Sequence, residues 1–181
     1  MVPIARQRQT TRLETFVDAA FAFALTMLVV SVDSVPQSYD ALVEAVKRVP
    51  AFAASFLITV MFWLGHYRWS RRYGIEDTGS VVLSLMLGFL VLVFLYPLRL
   101  MMSGALQSMS GGFLPGEIAI TRISQLQFMF LLYGIGFMSM AGVLLALYAR
   151  VLRVALSPPL SVEDRAVAVV EVQAWGILAG M

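Results

Sequence analysis

Three ionisable side chains open the first apolar stretch of the chain: Arg12, Glu14 and Asp18, within Arg12-Leu13-Glu14-Thr15-Phe16-Val17-Asp18. The sequence then turns apolar from Ala19 to Val32, and counted from Phe16 it reaches the short end of what crosses a hydrocarbon core. A carboxylate at the mouth of such a helix is costly unless it has a partner or meets water, so Asp18 is a functional-site candidate by default. The plainer alternative is that the three charges mark the interface end of an ordinary span. Partners for Asp18 are available in Trp63-Leu64-Gly65-His66, where an indole donor and the chain's single histidine stand three residues apart. If the second span returns to the side on which the first begins, Arg12, Asp18 and His66 lie at similar depth. Such charges are tolerable when paired and hydrogen-bonded. Trp63 can add a donor to that cluster, or stand as an aromatic of the headgroup belt, as His66 can be an interface histidine.

Other chemistries lack their residues. With one histidine and no cysteine, the chain cannot assemble a usual zinc site, a thiol redox centre or a disulfide framework. Its glycines lie in apolar stretches or in a loop without the lysine and strand of a phosphate-binding loop. We expect no enzyme, no cofactor and no fixed metal ion. The middles of the spans carry almost no charge, which weighs against a proton-coupled transporter, since transporters place ionisable groups near the midplane on broken helices. Charges of 13 basic against 11 acidic residues are too balanced to suggest nucleic acid.

The elements that must position these residues are membrane helices. Of 181 residues 60% are hydrophobic and 13% charged, and the mean hydropathy is +0.83. A soluble domain carries roughly 25% charge. We therefore expect an all-α polytopic membrane protein, a single transmembrane domain over 1–181, with four complete spans near 16–33, 50–67, 80–102 and 123–148 and the start of a fifth near 162–181. The first run is longer than a signal-peptide core and has no convincing cleavage site, so it reads as a retained span.

Tyr39 to Val49 is either an interfacial helix or the first turns of span two, with Pro50 at its end. Pro97 predicts a bend or an end of span three near Phe94 to Tyr96, and Gly104 to Gly116 reads as a loop. Ala149 to Leu160 reads as a basic connector closing in Ser157-Pro158-Pro159, after which Ser161 and Asp164 look like the cap of a last helix. Arg6, Arg8, Arg12, Arg68, Arg71, Arg72, Arg150, Arg153 and Arg165 fall on one side, against Lys47, Arg48, Arg99 and Arg122 on the other. That bias places the N-terminus in the cytoplasm.

On a helical wheel Ala19, Phe23, Thr26 and Val30 share a stripe, with Met27 beside it. Several copies of this helix around one axis would make apolar constrictions with a hydroxyl layer among them, a lining that gates by dewetting. On periodicity alone, packing of Phe23, Met27 and Val30 in lipid or protein is the favoured account of the two.

The motif carries a resemblance that separates these alternatives. Arg12, Phe16 and Asp18, with the alanine-rich helix that follows and Trp63 and His66 on span two, resemble the R-x-x-x-F-S-D signature and helix of the TMEM175 family, lysosomal and prokaryotic potassium channels. Val17 stands where the signature has serine, so one hydroxyl is missing. The resemblance implies a passive potassium-preferring channel in the cell membrane, assembled as a homotetramer of six-span subunits, with the first helix lining a central pore. Potassium ions, membrane lipids and further copies of the chain are then its partners. It also implies a bulky constriction five positions after the motif aspartate, where the family usually has isoleucine and this chain has Phe23. Met27 and Val30 follow as further apolar layers, and Thr26 matches a family threonine near the filter. Arg12, Asp18, Trp63 and His66 would hold the helix in place, with Phe16 packing the motif against neighbouring helices. The competing functions are a non-conducting structural or assembly protein of the same fold and, behind it, a proton-coupled transporter.

Overall fold

A computed structural model describes residues 11–30, 36–75, 77–153 and 160–180. Arg6, Arg8, the 31–33 end of the first expected span, Ser157-Pro158-Pro159 and Met181 lie outside the described residues. The described chain forms five α-helices: α1 (Arg12–Val30), α2 (Tyr39–Arg72), α3 (Thr78–Met109), α4 (Ile123–Arg153) and α5 (Val162–Gly180). Among them α2, α3 and α4 are each long and apolar enough to cross a membrane.

Most of the helix starts have a side chain to satisfy their first amides. Thr11 and Glu14 make a reciprocal capping box, the Glu14 N–H donating to Thr11 Oγ1 at 3.2 Å and the Thr11 N–H to Glu14 Oε2 at 3.1 Å. Ser38 accepts from the Ala41 N–H at 3.1 Å and starts α2. Asp77 accepts from the Ser80 N–H at 3.2 Å and starts α3. The Asp77 carboxyl is held below the usual carboxylate range, first by Ser80 and then by the Arg150 guanidinium. Its ion pair with Arg150 also ties the start of α3 to the end of α4. At α5 the Asp164 N–H donates to Ser161 Oγ at 3.0 Å, the cap read from the sequence.

Several boundaries differ from the sequence expectation. Of the two readings of Tyr39 to Val49 the structure has the second, the first turns of span two, in one 34-residue helix that runs through Pro50 and so begins well before the expected residue 50. Likewise α3 neither ends at Pro97 nor gives way to a loop at Gly104, but continues to Met109. A proline removes one backbone donor, and in a membrane bundle neighbouring helices and side chains make that loss tolerable. The loop therefore begins at Ser110. At the far end of α4, Ala149 to Arg153, expected in a connector, is helical, with Arg150 and Arg153 in the last turn.

The helices alternate in direction. Pairings of Glu14 with Ser70 and of Asp18 with Trp63 set α1 antiparallel to α2, while Ala20 against Gly88 and the shared lining of a cavity by Phe23 and Tyr96 set α1 parallel to α3. The core between α2, α3 and α4 holds Phe62, Trp69, Leu87, Leu144, Leu147 and Tyr148, all buried. Its two polar tips are satisfied by backbone: Trp69 Nε1 donates to the Leu147 carbonyl at 3.1 Å and Tyr148 OH to the Gly65 carbonyl at 3.0 Å. Phe62 packs edge-on against Phe137, with centroids 5.2 Å apart, and lies against Trp175 of α5.

At Gly65 the Trp175 side chain of α5 packs directly on the backbone of α2. A methyl group there would lie 2.5 Å from the Trp175 ring and 2.9 Å from Leu144 Cδ1. We expect Gly65→Ala to destabilise the subunit by about 1–3 kcal/mol through overpacking, read as an earlier thermal transition in detergent. Gly142→Ala, with nothing near the added carbon, is the control.

Candidate pore helix and its anchor

α1 divides into two faces. Val17, Phe21, Ala24 and Leu28 are buried against α2 and α3. Ala19, Phe23, Thr26 and Met27 are exposed, with Phe23 at 57%. Their spacing of three and four residues makes a continuous stripe. Val30 ends the helix, and its side chain lies outside the described residues. The Thr26 hydroxyl donates to the Ala22 carbonyl at 2.8 Å. Its donor is thereby used within the helix, and its lone pairs are left as acceptors on the exposed face.

The N-terminal end of α1 is fixed to α2 by two carboxylates one turn apart. Trp63 Nε1 donates to Asp18 Oδ1 at 2.9 Å. Ser70 Oγ donates to Glu14 Oε1 at 2.7 Å, and Glu14 is only 8% exposed. Trp63 stacks on Tyr67, with centroids 5.2 Å apart, and the Arg71 guanidinium lies 5.7 Å from the Tyr67 centroid. Arg71 is also within electrostatic reach of both Glu14 and Asp18. A half-buried aspartate thus meets an indole donor on one side and an exposed cationic side chain beyond it, and both make its charge easier to sustain.

The structure brings Asp18 and Trp63 into direct contact and places the other expected residues around them. His66 is buried one turn farther along α2; its Nε2 is 3.0 Å from Ser84 Oγ of α3, and its ring lies 5.6 Å from that of Trp69. It feels Asp18 and Glu14 through space and bonds α3, so it joins α2 to α3 where Trp63 joins α2 to α1. Arg12 is exposed and makes no ion pair among the described residues. Phe16 is 58% exposed, so most of its ring is left uncovered by the subunit's own helices.

Glu14, Ser70 and Ser84 belong to this anchor and were not foreseen as members. Thr11-x-x-Glu14 is a legible capping box, which could have separated Glu14 from the merely interfacial charges. Nothing local distinguishes Ser70 or Ser84 from serines such as Ser55, whose hydroxyl bonds its own helix at the Ala51 carbonyl. We expect Ser70→Ala to destabilise the subunit by roughly 1–3 kcal/mol, because it leaves a buried carboxylate oxygen without its donor. Ser55→Ala, which strands no partner, should change thermal stability far less.

Among the described residues no cluster of three or more histidine, aspartate or glutamate side chains is placed to hold a metal ion. A cavity of about 230 Å³ lies between α1 and α3, with Phe23 and Met27 on one wall and Leu92, Tyr96 and Arg99 on the other.

Long apolar antiparallel helices with a polar clamp at one end define an all-α polytopic membrane protein. The sequence model described as "Endosomal/lysosomal potassium channel TMEM175" matches residues 12–97, from the first motif residue to Pro97 of α3. A protein of Marivirga tractuosa described as a potassium channel is 31% identical over 150 residues, which are 80% of this chain and 60% of that protein. The crystal structure of a variant of the potassium channel MtTMEM175, in complex with a Nanobody-MBP fusion protein, matches with a TM-score of 0.80 at 25% identity, over 99% of this chain and 80% of that one. The chain is thus similar to TMEM175-like potassium channels in sequence from α1 into α3 and in fold over nearly its whole length. It spans 60% of the length of its Marivirga relative. The family is described by channel activity, and neither the sequence nor the described residues hold a catalytic motif.

Proposed function

We propose that the chain is a subunit of a passive, potassium-preferring cation channel of the cell membrane, a homotetramer in which α1 lines the central pore and the N-terminus is cytoplasmic. The observation that carries this is the division of α1 into a buried face and an exposed stripe of Ala19, Phe23, Thr26 and Met27, on a helix whose end is clamped by Asp18 and Glu14. A helix held this firmly on one face, with large apolar side chains left open on the other, is suited to meet its own copies around an axis. Phe23 then forms the constriction, Met27 and Val30 further apolar layers, and Thr26 a ring of hydroxyl oxygens. Those oxygens are free to accept, so they favour a cation over an anion. Asp18, Trp63 and His66 of the motif support the lining from behind, while Arg12 and Phe16 stand on the exposed side of α1.

Potassium flux from liposomes tests the proposal. Electrogenic flux that follows the potassium gradient, larger than the sodium flux under matched conditions, is the expected result. Obligatory proton movement would replace the channel with a coupled transporter. Silence from verified oligomers would leave a structural or assembly protein.

A further inference from the structure

Arg99 is the one arginine in the apolar interior of α3, and it is only 4% exposed. A guanidinium stays charged in any protein environment, so its burial demands an anion and further hydrogen-bond acceptors. Glu117 supplies the anion from the segment between α3 and α4. Arg99 Nε lies 2.8 Å and Nη2 2.6 Å from the same oxygen, Glu117 Oε1. The reach of Glu117 is built in: its own N–H donates to Ser103 Oγ at 3.3 Å, one turn beyond Arg99 on α3, and Gly116 packs directly on the Gln107 side chain. The connecting segment is thus fastened along α3 so that one carboxylate enters beside one guanidinium.

The position of the pair is what matters. Arg99 lines the same cavity as Phe23 and Met27, and among the described residues it is the one charged side chain that does. We propose that Glu117 is a charge-balancing residue of the permeation path: it cancels the field that Arg99 would otherwise impose on cations passing the Phe23 and Met27 layers. This rests on the channel proposed above, with α1 as its lining. Intact, the pair presents a small dipole. Removing the carboxylate shifts the charge of the site by one unit toward positive, and removing the guanidinium shifts it by one unit toward negative. Across a cavity of this size, roughly 10 Å at an effective dielectric constant near 20, one uncompensated charge changes a cation's local occupancy about tenfold. Ions in the pore solution weaken the effect, since the screening length falls from about 30 Å at 0.01 M salt to about 3 Å at 1 M.

The test is potassium flux from liposomes at 0.01 M and 1 M potassium chloride for the wild type, E117Q, R99Q and the double variant R99Q/E117Q, each normalised to assembled protein. E117Q should lower low-salt flux by roughly three- to tenfold, R99Q should raise it by a similar factor, and the double variant should return near the wild type, with all differences shrinking below about twofold at 1 M. The opposite signs separate a field from a structural effect, which would lower both single variants at either salt. Should E117Q fail to assemble, the rise in R99Q and its reversal in the double variant carry the same comparison. Equal flux in all four proteins, or losses of the same sign and no salt dependence, would overturn the inference while leaving the channel in place. A silent wild type would remove the channel reading, and the inference with it.

Discussion

Replacing Phe23 with alanine raises the potassium leak of the reconstituted protein by roughly an order of magnitude or more, if α1 lines the pore as proposed. The reason is dewetting. A ring of phenyl groups at a narrow axis leaves no hydrogen-bond partner for water or for an ion's hydration shell, so the barrier lies in stripping or excluding water. Truncation to a methyl group widens that layer, and each ~1.4 kcal/mol removed from the barrier multiplies the rate by about ten. Because Phe23 is 57% exposed in the subunit, the same change removes little of the subunit's own core. Thermal stability should therefore move by far less than the flux does. Phe21→Ala is the contrasting variant. Phe21 is buried, and its loss should cost about 3–5 kcal/mol in the manner of a core cavity, with flux falling only as assembled protein falls. A Phe23→Ala protein that assembles normally and leaks no more than the wild type would remove Phe23 from the ion path.

Asp18→Ala should destabilise the subunit by about 2–4 kcal/mol and reduce the yield of assembled protein. The change strands the indole N–H of Trp63, whose acceptor is Asp18 Oδ1 at 2.9 Å, between two helices where water is scarce. Trp63→Phe breaks the same bond from the other side and leaves a half-buried carboxylate. The two losses describe one interaction, so the double variant should be more stable than the sum of the singles by about 1–2 kcal/mol. Thermal unfolding in detergent, followed by tryptophan fluorescence where the variant retains it and by monodispersity in all cases, supplies the cycle. Additive effects would mean that Asp18 and Trp63 support α1 independently.

The division between what the residues announced and what they concealed follows the range of the interactions. Asp18 was visible because a carboxylate opening an apolar helix has few ways to be stable, and Trp63 because a donor on the returning helix is one of them. The helix start at Ser161 was legible for the same local reason, whereas Tyr39 to Val49 showed helical spacing without showing whether it belonged to span two. The full length of α3 was not. Pro97 and Gly104 argue locally for a break, yet the helix is held by long-range packing of Phe94 on Tyr133 and against Gly136 of α4, and by Glu117 returning to Arg99. His66 finding Ser84, and Glu14 finding Ser70, required the register between helices, which no single stretch encodes. The stripe on α1 was readable as a stripe, but only the burial of its opposite face against α2 and α3 shows which side the subunit leaves open.

The chain has no cysteine, so a thiol placed at Phe23 is unique. The most direct test of α1 as the pore lining is potassium flux through Phe23→Cys before and after a charged, membrane-impermeant thiol reagent. The expected result is loss of flux as the thiol is modified, with no loss in the unmodified parent. Complete modification of Phe23→Cys with flux undiminished would place Phe23 away from the ion path and contradict the central claim.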